Sequence, residues 1–273
     1  MLEAAWWGFV GGAALLLGAL MGLYLKVGLR VIGLVMAFGA GVLISAVAFE
    51  LTEEAFQAAG GSAAALGLAA GSLTFFAGDW LIDRQGGHRR KSPVHGGVRL
   101  PQPTDDTGEP RGAAPAATKG RARSVQASAG ASSGLALVLG ALLDGIPESA
   151  AIGISLIGGG GVGMAMVAAV FLSNIPESMS ATTGLKASGR STPWILGLWT
   201  LVIGASTLAS VLGYGLLGSA SQETVAFIQT FAAGAILTML ADTMMPEAVE
   251  HAGRLVGLLT VLGFAVAFFL SAA

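Results

Sequence analysis

The sequence predicts an all-α, polytopic membrane protein with eight transmembrane helices, and three observations predict it. Mean hydropathy is +0.75, with 54% hydrophobic and only 11% charged residues in 273, where a soluble globular chain carries about 25% charged residues. Eight apolar stretches are each long enough to cross a hydrocarbon core of about 30 Å, which takes about 20 helical residues. All 14 lysines and arginines fall in alternate gaps between those stretches. Lys26 and Arg30 occupy the first gap; Arg84, Arg89, Arg90, Lys91, Arg99, Arg111, Lys119, Arg121 and Arg123 the third; Lys186 and Arg190 the fifth; Arg254 the seventh. Cytoplasmic loops carry such an excess. The odd gaps are therefore expected inside and both termini outside, in a multi-pass protein of the cytoplasmic membrane. No segment alternates as barrel strands would.

The first three helices are predicted near Ala4–Leu25, Val31–Phe49 and Ser62–Ile82. The first is not expected to be a cleaved leader, because its only early charge is Glu3 and its apolar run is too long. Trp6, Trp7 and Trp194 lie near predicted helix ends, where amphipathic rings favour the interface. Residues 83–130 then hold five of the nine prolines and most of the basic residues, and read as a disordered basic cytoplasmic loop. His88 and His95 within it read as scattered surface histidines. The remaining helices are predicted near Ser132–Ile157, Val162–Leu185, Pro193–Leu217, Val225–Met245 and Leu255–Ala272. The chain thus divides into 1–82 (helices 1–3), 83–130 (the loop) and 131–273 (helices 4–8), forming one transmembrane domain. Cysteine is absent, which excludes disulfides and thiolate ligands. No nucleotide-binding motif is present, so direct ATP drive is not expected. The lipid bilayer is an expected partner and nucleic acid is not.

Two internal matches order the helices further. Asp144-Gly-Ile-Pro-Glu-Ser149 in helix four recurs as Ser173-Asn-Ile-Pro-Glu-Ser178 in helix five. Phe38-x-x-Gly41 followed by Glu54-Ala55 matches Phe231-x-x-Gly234 followed by Glu247-Ala248. Helices two and seven would cross in opposite directions. Helices 1–3 and 6–8 are therefore expected to be inverted repeats around helices 4 and 5, a common design of secondary transporters.

The candidate site follows from charge. Asp144 and Glu148 are spaced i,i+4 in the middle of helix four and share a face. Glu177 lies mid-way along helix five, with Asn174 and Ser173 up to one turn earlier. A carboxylate at membrane depth costs about 2.5–3.5 kcal/mol unless compensated. No lysine or arginine lies inside a predicted helix, so a proton or a bound cation must compensate. Pro147 and Pro176 remove the N–H groups that would bond the carbonyls of Leu143 and Leu172. Carboxylates, an amide, a hydroxyl and freed carbonyls suit a hard cation. At the helix ends, Glu50, Glu53 and Glu54 read equally as a cation entrance or as a solvated turn. Asp242, Glu247, Glu250 and His251 mark an exit at the inner end of helix seven. Asp79 and Asp83 beside Arg84 read as a polar boundary. Met239, Met244 and Met245 read as packing.

At these residues the chain resembles the ZIP family (Zrt-, Irt-like proteins) of divalent-metal transporters. The family's His-Asn-x-Pro-Glu-Gly element stands here as Asp144-Gly145-Ile146-Pro147-Glu148-Ser149, and a similar one as Ser173-Asn174-Ile175-Pro176-Glu177-Ser178. Its helix-two His-x-x-Pro-Glu-like element matches Glu50-Leu-Thr-Glu53-Glu54, and its helix-seven Asp-Glu-x-x-Pro-Glu matches Asp242-Thr243-Met-Met-Pro246-Glu247. The resemblance covers the whole chain outside the 83–130 loop. It implies transport of divalent metal into the cytoplasm, with Asp144, Glu148 and Glu177 as the main metal site. A second site would draw on Asn174, Ser173 and Asp242. Glu50, Glu54 and Glu247 would stand at the entrance and exit, and a homodimer is implied. Two family histidines are Asp144 and Glu50 here, so zinc preference is expected to broaden toward manganese or iron.

The expectation is therefore a secondary transporter of Zn²⁺, Mn²⁺ or Fe²⁺ working by alternating access, with no resident cofactor and no enzymatic activity. Two alternatives remain open: a metal-binding membrane protein or sensor without transport, and an intramembrane aspartyl protease using Asp79 and Asp144.

Overall fold

The computed structural model describes residues 1–25, 27–84, 138–157 and 162–271. Among these the fold is helical, without a strand. The helices are α1 (Leu2–Tyr24), α2 (Leu29–Ala46), α3 (Glu54–Arg84), α4 (Val138–Ser155), α5 (Met164–Ala187), α6 (Thr192–Leu217), α7 (Gln222–Met239), α8 (Met245–Ala252) and α9 (Val256–Ser271). Local signals set several ends. Pro193 sits in the first turn of α6, where its missing N–H has no helical partner. Ser221 caps α7 by accepting the Thr224 N–H at 3.3 Å. The expected 83–130 loop lies outside the described residues apart from its first two positions.

Five helical stretches are long and apolar enough to cross a membrane: Leu2–Tyr24, Leu29–Ile82, Val138–Ser155, Thr192–Leu217 and Gln222–Ser271. The second and fifth, at 54 and 50 residues, are each long enough for two crossings of about 20 residues. The α5 helix is not among them, because Ser173, Asn174, Glu177, Ser178, Ser180, Thr182 and Thr183 make it too polar. It tolerates that polarity by being enclosed: Ser173, Asn174, Ser178 and Thr182 are all buried. Outer helices instead expose Leu73 and Phe76 on α3, Leu208 and Leu212 on α6, and Leu258 and Phe269 on α9. Apolar faces of that extent suit a lipid environment.

Two helices depart from the expected boundaries in the same way. The second was expected to end near Phe49, yet α2 runs through π-helical turns at Val47–Glu53 and into the first turns of α3 before the chain breaks at Gly60 (φ 80°). The seventh was expected to end near Met245, yet α7 passes through π turns at Leu240–Met244 and along α8 to Gly253 (φ 63°). The π segments begin 193 residues apart (240 − 47), and so do the two glycines (253 − 60). That is also the spacing of the Phe-x-x-Gly match (231 − 38). Both breaks need a glycine, since a side chain is disfavoured at positive φ. Each π segment disturbs the backbone ladder, and a threonine hydroxyl compensates: Thr52 donates to the Val47 carbonyl at 2.9 Å and Thr243 to the Met239 carbonyl at 2.5 Å.

The helices pack as two groups. In one, α1 runs parallel to α5, meeting it at Gly11 beside Val170 and at Gly22 beside Met179, and antiparallel to α6, where Ser210 donates to the Ala4 carbonyl at 2.8 Å. The α4 helix lies parallel to α6, with Gly145 against Ser206 and Gly153 against Ser210. In the other group α2 pairs with α9, Phe38 meeting Gly263 and Phe49 meeting Phe268. Likewise α3 pairs with α7, Leu68 meeting Gly234 and the Ser72 and Thr238 hydroxyls bonding at 2.8 Å. The groups meet where α2 crosses α5 antiparallel, with Gly39 against Ser173. These directions put Arg30, Arg84, Lys186, Arg190 and Arg254 at one end of the bundle, and Glu50, Glu53, Glu54 and Glu223 at the other.

Candidate site of buried carboxylates

Asp144 and Glu148 are both buried on α4, with Glu148 only 1% exposed. Their i,i+4 spacing stacks the two acids on one helix face. Gly145 lets Ser206 of α6 come close behind them; a Cβ at Gly145 would lie 3.2 Å from the Ser206 hydroxyl oxygen. The Oε1 atom of Glu148 is buried and makes no hydrogen bond. Every described lysine and arginine lies at a helix end. A fully buried carboxylate oxygen without a hydrogen bond is unfavourable, so Glu148 fits a proton or a bound cation.

The second acidic element is on α5. Pro176 is buried within a continuous helix, and Ser173 (0% exposed) and Asn174 (4%) lie deep in the fold. Both make structural hydrogen bonds. Asn174 Nδ2 donates to the Gly11 carbonyl of α1 at 3.1 Å, and Ser173 Oγ donates to the Val170 carbonyl at 3.1 Å. Their oxygens keep acceptor capacity toward an ion. Glu177 is half-buried on the same helix, and Asp242 is half-buried in the second π segment. Among the described residues no three His, Asp or Glu side chains converge closely enough to hold a metal ion. In this conformation Asp144 and Glu148 share a face, while Glu177 and Asp242 do not complete a cage with them.

The acids at the helix ends have defined partners. Glu50 lies in the first π segment, half-buried, and its Oε2 accepts the Met166 N–H at 3.1 Å, at the start of α5. Glu54 Oε2 accepts from Gln229 Nε2 at 3.0 Å, and the same amide reaches the Glu50 carbonyl at 3.1 Å. Glu53 is exposed and accepts from Gln57 at 3.0 Å. At the opposite end Ser180 Oγ donates to Glu247 Oε1, and His251 Nδ1 lies 2.8 Å from the Glu247 carbonyl. Asp79 is buried on α3. Its neighbour Gly78 packs against Leu143, the residue before Asp144.

Sequence reasoning did not find Gln229 or Ser180. Gln229 carried a signal, a polar amide inside an apolar helix; Ser180 looked like any small helix-packing residue. Comparison with protein-family models gives no match, and comparison with curated proteins gives none.

Proposed function

We propose that the chain is a secondary transporter of divalent metal cations in the cytoplasmic membrane, of the kind the ZIP resemblance suggests. One observation carries the reading: a fully buried glutamate, Glu148, has an oxygen without a hydrogen bond beside a second buried acid, while the described basic residues all lie at helix ends. A desolvated dication satisfies that arrangement, and oxygen ligands admit Mn²⁺ and Fe²⁺ as well as Zn²⁺. Asp144 and Glu148 would hold the ion. Glu177, with Ser173, Asn174 and Asp242, would join as α5 and the second π segment move.

The proposal includes eight crossings, α7 and α8 together making the seventh. Supporting it are the alternating helix directions and the shared 193-residue spacing of the π segments, the glycine breaks and the Phe-x-x-Gly pairs. In this reading α1–α3 and α6–α9 are inverted repeats around α4 and α5. The basic end of the bundle faces the cytoplasm and both termini face outside. A homodimer remains part of the family-based reading.

The test is metal uptake by proteoliposomes with Zn²⁺, Mn²⁺, Fe²⁺ and Cd²⁺. Wild type is expected to carry at least one of them, and Glu148→Gln with Glu177→Gln to abolish that flux. Wild-type flux in the double variant, or no flux of any ion in wild type, overturns the proposal. The packing of Gly78 on Leu143 favours one second reading, a protease with Asp79 and Asp144 as its acid pair. Peptide cleavage lost in Asp144→Asn and in Asp79→Asn alike would establish that instead.

A further inference from the structure

We propose that Glu50 and Glu247 are latches that hold α5 from opposite ends, and that releasing either one opens the buried carboxylates from its own side. The inference rests on reading Asp144, Glu148 and Glu177 as a site that an ion reaches from both faces.

The geometry begins with the exposed amides at the start of a helix. The first N–H groups of α5 have no partner within the helix and sit at the positive end of its dipole. Glu50 supplies a carboxylate there, accepting the Met166 N–H at 3.1 Å. A hydrogen bond of this type is charge-assisted and about twice as strong as a neutral one. The latch is itself braced, since Gln229 of α7 donates to the Glu50 carbonyl and to Glu54 Oε2. At the far end Glu247, three residues past the second π segment, accepts from Ser180. Met166, Ser173 and Ser180 are spaced by seven residues, with Glu177 between the last two. All therefore lie on one face of α5. That face meets α2, where Gly39 abuts Ser173. The two latches are fourteen residues apart along α5, about 21 Å at 1.5 Å per residue, and the candidate ligands Ser173, Asn174 and Glu177 lie between them.

Helix glue alone would not be arranged this way. The α5 helix packs more extensively with α1 than with α2, yet both latches reach the opposite helix group. Both also arise in or next to π segments, where the helical register is already disturbed and a shift costs least. The structure shows both latches closed and Asp144 and Glu148 buried.

A glycine gives an independent way to open one latch. A Cβ placed on Gly163 would lie 2.5 Å from Glu50 Oε2, too close for the carboxylate to stay. The backbone there (φ −61°, ψ 94°) accepts alanine. Gly163→Ala therefore evicts Glu50 without touching an acid. The reporter is Ala169→Cys, fully buried between Met166 and Ser173 and the only cysteine in the chain. It is labelled with an impermeant maleimide applied to the face at which α5 begins. Losing a charge-assisted hydrogen bond corresponds to about a tenfold shift in population. Gly163→Ala and Glu50→Ala are each expected to speed labelling about tenfold, while Ser180→Ala, at the other latch, does not speed it from this face. Failure of either variant to speed labelling, or an equal rise with Ser180→Ala, overturns the proposal. Metal flux plays no part in this readout. A wild type inert in uptake would sink the transport reading and leave the latch measurement standing.

Discussion

Glu148→Leu is expected to stabilise the metal-free protein while removing its response to metal. Glu148 is 1% exposed and its Oε1 lacks a hydrogen bond. A buried polar group left unsatisfied costs about 1–3 kcal/mol. Leucine fills a similar volume without that cost and without a second negative group beside Asp144. In EDTA the variant should therefore gain about 1–3 kcal/mol, at about 2–4 °C of Tm per kcal/mol for a chain near this size. Metal reverses the order. At a free concentration a hundred times Kd, a bound ion stabilises wild type by about 2.7 kcal/mol, and the variant, lacking the ligand, gains nothing. The measurement is thermal unfolding in detergent followed by tryptophan fluorescence, with EDTA and with Mn²⁺ or Zn²⁺. A lower Tm for the variant in EDTA, together with an intact metal shift, would refute the reasoning that Glu148 is an uncompensated ligand.

Other substitutions test packing, orientation and ion choice. Gly41→Val and Gly234→Val would overlap the carbonyl oxygens of Thr260 and Leu68, and each should cost about 1–3 kcal/mol or more in thermal stability, whereas Gly197→Ala, with open space around it, should be neutral. Thr182→Val strands the buried Trp199 Nε1–H, which now donates to Thr182 Oγ1 at 2.8 Å, and should lower stability by about 1–3 kcal/mol in the same melt. Single cysteines at Gly61 and Gly160 should react with an impermeant thiol reagent in intact cells, and those at Gly112 and Ser188 should not; labelling at 112 reverses the proposed orientation. Asp144→His should shift competitive uptake from Mn²⁺ toward Zn²⁺, because imidazole is the better zinc ligand; an unchanged ratio removes residue 144 from selectivity.

Which parts of this fold were readable in the chain depended on how local the signal was. Apolar runs of about 20 residues are written residue by residue, so the helices of the outer ring were legible. The charge sorting was equally legible, and among the described residues it reappears as Arg30, Arg84, Lys186, Arg190 and Arg254 gathered at one end of the bundle. The paired Phe-x-x-Gly elements pointed to related helices, and both close pairings, Gly41 on α9 and Gly234 on α3, use those glycines. The π segments were not legible. They have no composition of their own, and the residues around Phe49 and Met245 read as plain helix ends until packing carries the chain on to Gly60 and Gly253. The polarity of α5 was visible, but the partners that its polar side chains find, Gly11 for Asn174 and Glu247 for Ser180, were not. Glu50 was seen as an acid at a helix end. That it serves the first turn of a helix 116 residues away is a tertiary fact with no local trace.

The cross-pairing of α2 with α9 and α3 with α7 has a consequence for biosynthesis. Ser72 finds Thr238 only after a further 166 residues have been made. At about 5–20 residues per second that is a wait of about 8–33 s. The partner of α2, α9, emerges later still. During that interval the glycine-lined grooves of α2 and α3 stand without the helices cut to fit them. In the transmembrane reading proposed above, the newly made first half is expected to be open to membrane chaperones and quality-control proteases. Variants that slow completion of the chain should lower yield even where the finished protein is fully stable.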